Sequence, residues 1–170
     1  MIVTAGEPLG QSRRVAIEAM QAGHRVVYCP DMSVGRIIGG VDTFISGVES
    51  FYADGSLANT ADTLMLSLLS WEHAVQVVAP AEPLKYDPRR TTVNLTRLAG
   101  RLLVANKYER WLPAEQPWTL EDHVLDAVPY SMITKYITDE GAQMPSAVGA
   151  YSRPVLARWI QPQPWRATTQ

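Results

Sequence analysis

The chain has a single cysteine, Cys29, so it can close no internal disulfide and build no cysteine zinc site of its own. Cys29 itself reads as a buried structural thiol. The three histidines, His24, His73 and His123, stand far apart without ligand spacing, and no metal is expected. No apolar run approaches the roughly 18 to 20 residues that a membrane-spanning helix needs. The opening MIVTAGEPLGQ lacks the basic, then apolar, pattern of a signal peptide. A cytoplasmic protein, neither exported nor inserted in a membrane, is therefore expected. Neither charge dominates: 15 Lys and Arg face 17 Asp and Glu for a net charge of -2, which speaks against direct nucleic-acid binding through bulk charge. A P-loop, a Gly-rich dinucleotide fingerprint and a nucleophile elbow are all missing, because the glycines of GRIIGG are wrongly spaced for each. No cofactor is expected.

What is there suits one folded domain: 170 residues, 46% of them hydrophobic, can bury a core without staples. MIVTA reads as a strand, GEPLGQS as a turn, and RRVAIEAMQAG as a helix ending on Gly23. HRVVYCP is a second strand stopped at Pro30, MSVGRIIGG a short helix at best, and VDTFISG a third strand. TADTLMLSLLSWEHA predicts a helix with Leu64, Leu68 and Trp71 on one side, and VQVVAP a fourth strand. Apolar strands alternating with helices imply a mainly parallel sheet covered on both faces. The expected fold is α/β, a Rossmann-like three-layer sandwich with a helical carboxyl-terminal extension, its domain over residues 1–150 and a tail over 151–170. Ligands of such sheets bind beyond the carboxyl ends of the strands, here the loops 5–12, 30–34, 47–60 and 80–88. After residue 88 helical and loop character mix, and LEDHVLDAVPYSMITKYITDEG predicts a helix on each side of Pro129. Trp111, Trp118, Trp159 and Trp165 gather in this half, more aromatic surface than one small core takes, and an oligomer is expected.

Two blocks carry a resemblance. The first runs from CPDMSVGRIIGG through GVESFYADGSLANTADT to AEPLKYDP; the second is DAVPYSMITKYITDEGAQMP. Through Asp31, Gly47, Glu49, Gly55, Asn59, Thr63, Glu82 and Lys85, and then Asp126, Pro129, Ile133, Thr138, Gly141 and Pro145, the chain resembles the carboxyl-terminal half of the initiation factor 2B-like family. That family includes regulatory subunits of translation initiation factor 2B and two sugar-phosphate isomerases, of methylthioribose 1-phosphate and of ribose 1,5-bisphosphate. The departures are as informative as the matches. The isomerases' catalytic Cys lies on a strand upstream of anything present here, Cys29 does not match it, and the helical amino-terminal domain has no counterpart. In GEPLGQSRR, Pro8, Gln11 and Arg13 match the family's phosphate loop, but Glu7 replaces an Arg. At the helix start Thr60 replaces Lys and Asp62 replaces Gly.

On physical grounds LANTADT reads as a self-capped helix, with Asn59 or Thr60 as cap and Asp62 in the first turn. Relative to the family the local charge shifts by two units against a phosphate, each worth about 1 to 3 kcal/mol at about 5 Å. Glu49, an acid at a strand end, is a salt-bridge partner or, as the resemblance implies, a site residue where the isomerases carry a catalytic Asp. Asp31 caps the next short helix or contacts ligand, and with Glu49 forms the candidate catalytic set. Arg13, Gln11, Asn59, Thr60 and Lys85 form the candidate ligand-binding set. The expected function is a divergent family member, a non-catalytic or partner-dependent subunit in a homo- or hetero-oligomer that binds a sugar-phosphate or nucleotide-like ligand weakly. The alternative is an aldose-1-phosphate to ketose-phosphate isomerase completed by a partner chain. A third reading is a divergent biosynthetic enzyme reusing the sheet.

Overall fold

The computed structural model describes residues 1–7, 10–90 and 124–160. The first elements follow the sequence: β1 (Ile2–Thr4), α1 (Ser12–Gln21) and β2 (Val27–Cys29). Helix α1 buries Ala16 and Ala19. It stops where Gly23 takes φ 86°, a left-handed turn that lets the Gly23 and His24 N–H groups donate to the carbonyls of Met20 and Ala19, each at 3.0 Å. Strand β2 ends before Pro30, which has no N–H for a ladder. Two short 3-10 turns, Asp31–Arg36 and Ile38–Gly40, lead to β3 (Thr43–Ile45). Helix α2 (Thr63–Glu72) and β6 (Gln76–Pro80) follow a hairpin.

That hairpin departs from expectation. Residues 47–60, read as a loop, contain β4 (Ser50–Phe51) and β5 (Leu57–Thr60), antiparallel to each other. Asp54 closes their turn, its carboxylate accepting the Ser56 N–H at 2.9 Å and the Ser56 hydroxyl at 2.6 Å. Because LANT is spent on a strand, α2 begins at Thr63, so neither Asn59 nor Thr60 caps it. Asp62 is the residue before the helix, not part of its first turn. The two helices predicted around Pro129 are strands, β7 (Leu125–Val128) and β8 (Lys135–Thr138). β7 is recruited by β5, with Asn59 opposite Asp126. KYIT, with its β-branched and aromatic residues, fills the parallel position beside β6. Strand β9 (Gly141–Gln143) returns antiparallel to β8, and α3 (Pro145–Ile160) closes the described chain, crossing residue 150 without a break. Predictions that rest on Pro8, on residues 91–123, on the side chain of Trp159 or on residues 161–170 lie outside the described residues.

The fold is a mixed α/β arrangement of three sheets: β1-β2, β3-β6-β8-β9 and β4-β5-β7. Three of its strand pairs are parallel and three antiparallel among the described residues, so the expected parallel dominance does not hold. One core gathers Phe51, Leu57, Val128, Tyr136 and Val148, with Phe51 between the rings of Tyr86 and Tyr136 at centroid distances of 5.5 Å each. A second holds Cys29, Val34, Ile38, Leu66 and Val75, which puts the lone thiol in the interior as expected. Helix α2 turns Thr63, Leu66, Ser67 and Ser70 inward, leaving Leu68 and Trp71 exposed. Of the predicted apolar stripe only Leu64 packs against a core. Tyr136 pins β8 to the hairpin turn, its hydroxyl donating to the Gly55 carbonyl at 2.9 Å.

Candidate functional site

The first and third sheets meet through carboxylates. Asp31, the first residue after Pro30, is buried. It does not cap its own 3-10 turn. Its two oxygens instead accept the N–H groups of Gly6 at 3.0 Å and Glu7 at 2.9 Å, which ties the end of β2 to the loop after β1. From the other side comes Asp62, held at φ 136°, a backbone conformation that L side chains rarely adopt. It hydrogen-bonds Asp31; burial first, and then the negative charge of Asp31, push its carboxyl up to about 7. Strain and a like-charge contact coincide at one residue, a combination found at functional sites more often than elsewhere.

Hydroxyls surround the pair. Thr60 Oγ1 donates to Asp62 at 3.3 Å. Thr63 Oγ1 donates to the Thr60 carbonyl at 2.8 Å, and Asn59 Nδ2 donates to Thr63 Oγ1 at 3.0 Å. The start of α2 is also occupied: one oxygen of Asp126 accepts the N–H groups of both Asp62 and Leu64 at 3.0 Å. A carboxylate there complements the helix dipole and fills the position an anion would take.

Beside this cluster opens a cavity of about 980 Å³, reached by Gly6, Gln11, Gly47, Asn59 and Thr60. Its described lining includes Asp42 and no Lys or Arg. Three of the predicted ligand residues, Gln11, Asn59 and Thr60, thus come together, with Asp31 behind them. The others do not join them. Lys85 turns its ammonium to the Val48 carbonyl at 2.6 Å, and Arg13 is exposed at the start of α1. Glu49 is fixed through its backbone, its N–H donating to the Ala58 carbonyl at 2.9 Å, with its side chain exposed. No group of His, Cys, Asp and Glu suited to hold a metal occurs among the described residues, and no described helix is long and apolar enough to cross a membrane.

Asp62 and Asp126 were missed as site residues. Asp62 looks like an ordinary helix-start acid, and its partner lies 31 positions away, where spacing carries no signal. Asp126 stands in a stretch read as helical.

A mixed α/β protein whose carboxylates cluster between two of its sheets is a class that many activities share. The comparisons narrow it: the chain belongs to the initiation factor 2 subunit family, whose profile matches residues 1–145. It is 27% identical over 153 residues to the ribose 1,5-bisphosphate isomerase of Pyrococcus furiosus, covering 86% of this chain and 46% of that protein. It is 30% identical over 159 residues to the methylthioribose-1-phosphate isomerase of Pelotomaculum thermopropionicum, covering 84% and 41%. Among solved structures, 5-methylthioribose 1-phosphate isomerase from Pyrococcus horikoshii is similar with a TM-score of 0.73 at 21% identity, over 93% of this chain and 45% of that one. Translation initiation factor eIF-2B, subunit delta, from A. fulgidus is similar with a TM-score of 0.68 at 22% identity, over 89% and 46%. The chain spans less than half the length of these relatives.

Proposed function

We propose that this chain is a divergent subunit of its family, non-catalytic or dependent on a partner, whose pocket takes a sugar-phosphate or nucleotide-like ligand weakly. One observation carries the reading: Asn59 and Thr60, beside the Asp31 and Asp62 pair, border a cavity whose described lining holds no Lys or Arg side chain. A phosphate brought within about 5 Å of an ionised Asp62 meets roughly 1 to 3 kcal/mol of repulsion per charge pair. The helix amides that would offset it already serve Asp126. The test is direct. The purified chain should form a defined oligomer and turn over neither ribose 1,5-bisphosphate nor methylthioribose 1-phosphate; turnover of either by the chain alone ends the proposal.

A second reading, an aldose-1-phosphate to ketose-phosphate isomerase completed by another polypeptide, draws on the same pair. The carboxyl of Asp62, pushed up to about 7 chiefly by burial, is matched to proton transfer at neutral pH beside Asp31. Glu49 and Asp31 are its candidate acid and base. In a reconstituted complex Glu49→Gln or Asp31→Asn should then lower turnover at least tenfold, and unchanged turnover in both variants removes the reading.

A further inference from the structure

Glu49 joins a free side chain to a tightly held backbone. The side chain is exposed, and its carboxylate has no hydrogen-bond or ion-pair partner among the described residues. The Val48–Glu49 peptide, by contrast, is bonded at both of its polar groups. Its N–H donates to the Ala58 carbonyl of β5 at 2.9 Å, and its carbonyl, that of Val48, accepts the Lys85 ammonium at 2.6 Å. The two groups of a trans peptide point opposite ways, so bonds to both hold its plane.

The flanks are held as well. Ser46 donates its N–H to the Val78 carbonyl at 2.9 Å and its hydroxyl to the Gly47 carbonyl at 2.8 Å. On the far side the Phe51 carbonyl accepts the Asp87 N–H at 3.0 Å, and Phe51 pairs with Tyr86. A surface acid that is merely solvated needs no such anchoring. Held in this way, Glu49 is aimed.

One anchor differs in kind from the others. Lys85 ends the 3-10 turn Pro83–Lys85 that follows β6, and it is an exposed residue. Fixing the stem of an exposed Lys costs nearly as much entropy as one charge-assisted hydrogen bond returns, so stability gives little reason to spend it on a neutral carbonyl. The packing of Tyr86 on Phe51 does not require it, since the Asp87 N–H already docks this turn on β4. Lys85 and Asp87 together bracket Glu49, one at Val48 through a side chain and the other at Phe51 through backbone.

We propose that Lys85 is a positioning residue for Glu49: from the turn after β6 its ammonium holds the Val48 carbonyl and so fixes the direction in which the Glu49 carboxylate leaves the backbone. The proposal rests on the isomerase reading, in which Glu49 moves a proton within a complex completed by another polypeptide. Proton transfer tolerates little misplacement, and an error of about 1 Å costs on the order of a hundredfold in rate. The only chemistry assigned to Lys85 is this hold on the peptide.

Hydrogen exchange of the full chain and kinetics of the reconstituted complex test it together. In Lys85→Met the Glu49 amide should exchange at least about threefold faster while the amides of residues 76–79 in β6 are unchanged, and Lys85→Arg should keep the slow rate. With ribose 1,5-bisphosphate or methylthioribose 1-phosphate as substrate, Lys85→Met should lower kcat about tenfold or more and leave KM within about twofold; Lys85→Arg should retain most of the activity. Added to Glu49→Gln, Lys85→Met should cause no further loss, because it acts through a side chain already disabled. Should Lys85→Met fail to fold, Lys85→Gln, whose stem is too short to reach Val48, takes its place. A Glu49 amide whose exchange is unchanged overturns the proposal. So do losses that multiply in the double variant, and so does a KM raised tenfold at constant kcat, which would make Lys85 a ligand contact. If the complex turns over neither substrate, the isomerase reading falls, while exchange still decides whether Lys85 fixes the Glu49 backbone.

Discussion

Asp62→Asn should make this protein more stable at pH 8 than the unaltered chain and should flatten its stability profile between pH 4 and 8. In the folded state the Asp62 carboxyl is raised from its ordinary 3.8 to about 7, chiefly by burial and then by Asp31. Between those values the folded protein holds a proton that the unfolded chain has released. Stability from this group is therefore fully present below about pH 4 and is lost as the pH rises through 7. A shift of about three pK units corresponds to about 4 kcal/mol. Asp62 is only partly buried, and solvent screening reduces this to about 1 to 2 kcal/mol. Urea unfolding at pH 4.5, 6 and 8 measures it. The unaltered chain should lose about 1 to 2 kcal/mol more than Asp62→Asn across that range. Parallel profiles for the two proteins would refute both the burial argument and the carboxylate contact.

Asp126→Ala removes the acceptor of two amide N–H groups at 3.0 Å and should cost about 1 to 3 kcal/mol in urea unfolding; a change below about 0.3 kcal/mol would show that water caps α2 equally well. Gly55→Ala places a methyl group against the Pro145 carbonyl at φ 84°, and should destabilise by at least about 2 kcal/mol or prevent folding, as circular dichroism would report. Lys85→Met loses the 2.6 Å bond to the Val48 carbonyl and should cost about 1 kcal/mol without changing affinity for inorganic phosphate. A tenfold loss of phosphate binding would instead make Lys85 a ligand residue.

Much of the amino-terminal half is legible without coordinates. Contiguous apolar residues at IVT, VYC and QVVAP, punctuated by Gly23 and Pro30, mark β1, β2, β6 and the end of α1, because local periodicity and backbone restriction act within a few residues. The motifs spread over residues 31–85 and 126–145 likewise point to the family before any fold is seen. The hairpin at 47–60 and the strands on either side of Pro129 are not legible in this way. β5 and β7 pair across more than 60 positions, and each is a strand because the other is present. The site divides along the same line. Gln11, Asn59 and Thr60 are readable as polar residues at strand and helix ends, whereas Lys85 is readable only as a cation and spends its charge on the Val48 carbonyl. The sequence alone determines which carboxylates exist. Only the tertiary fold sets Asp31 against Asp62 and gives Asp126 to the amides of α2. Charge contact, desolvation and capping from a distant strand depend on distances between remote segments, and those distances exist only once the chain has folded.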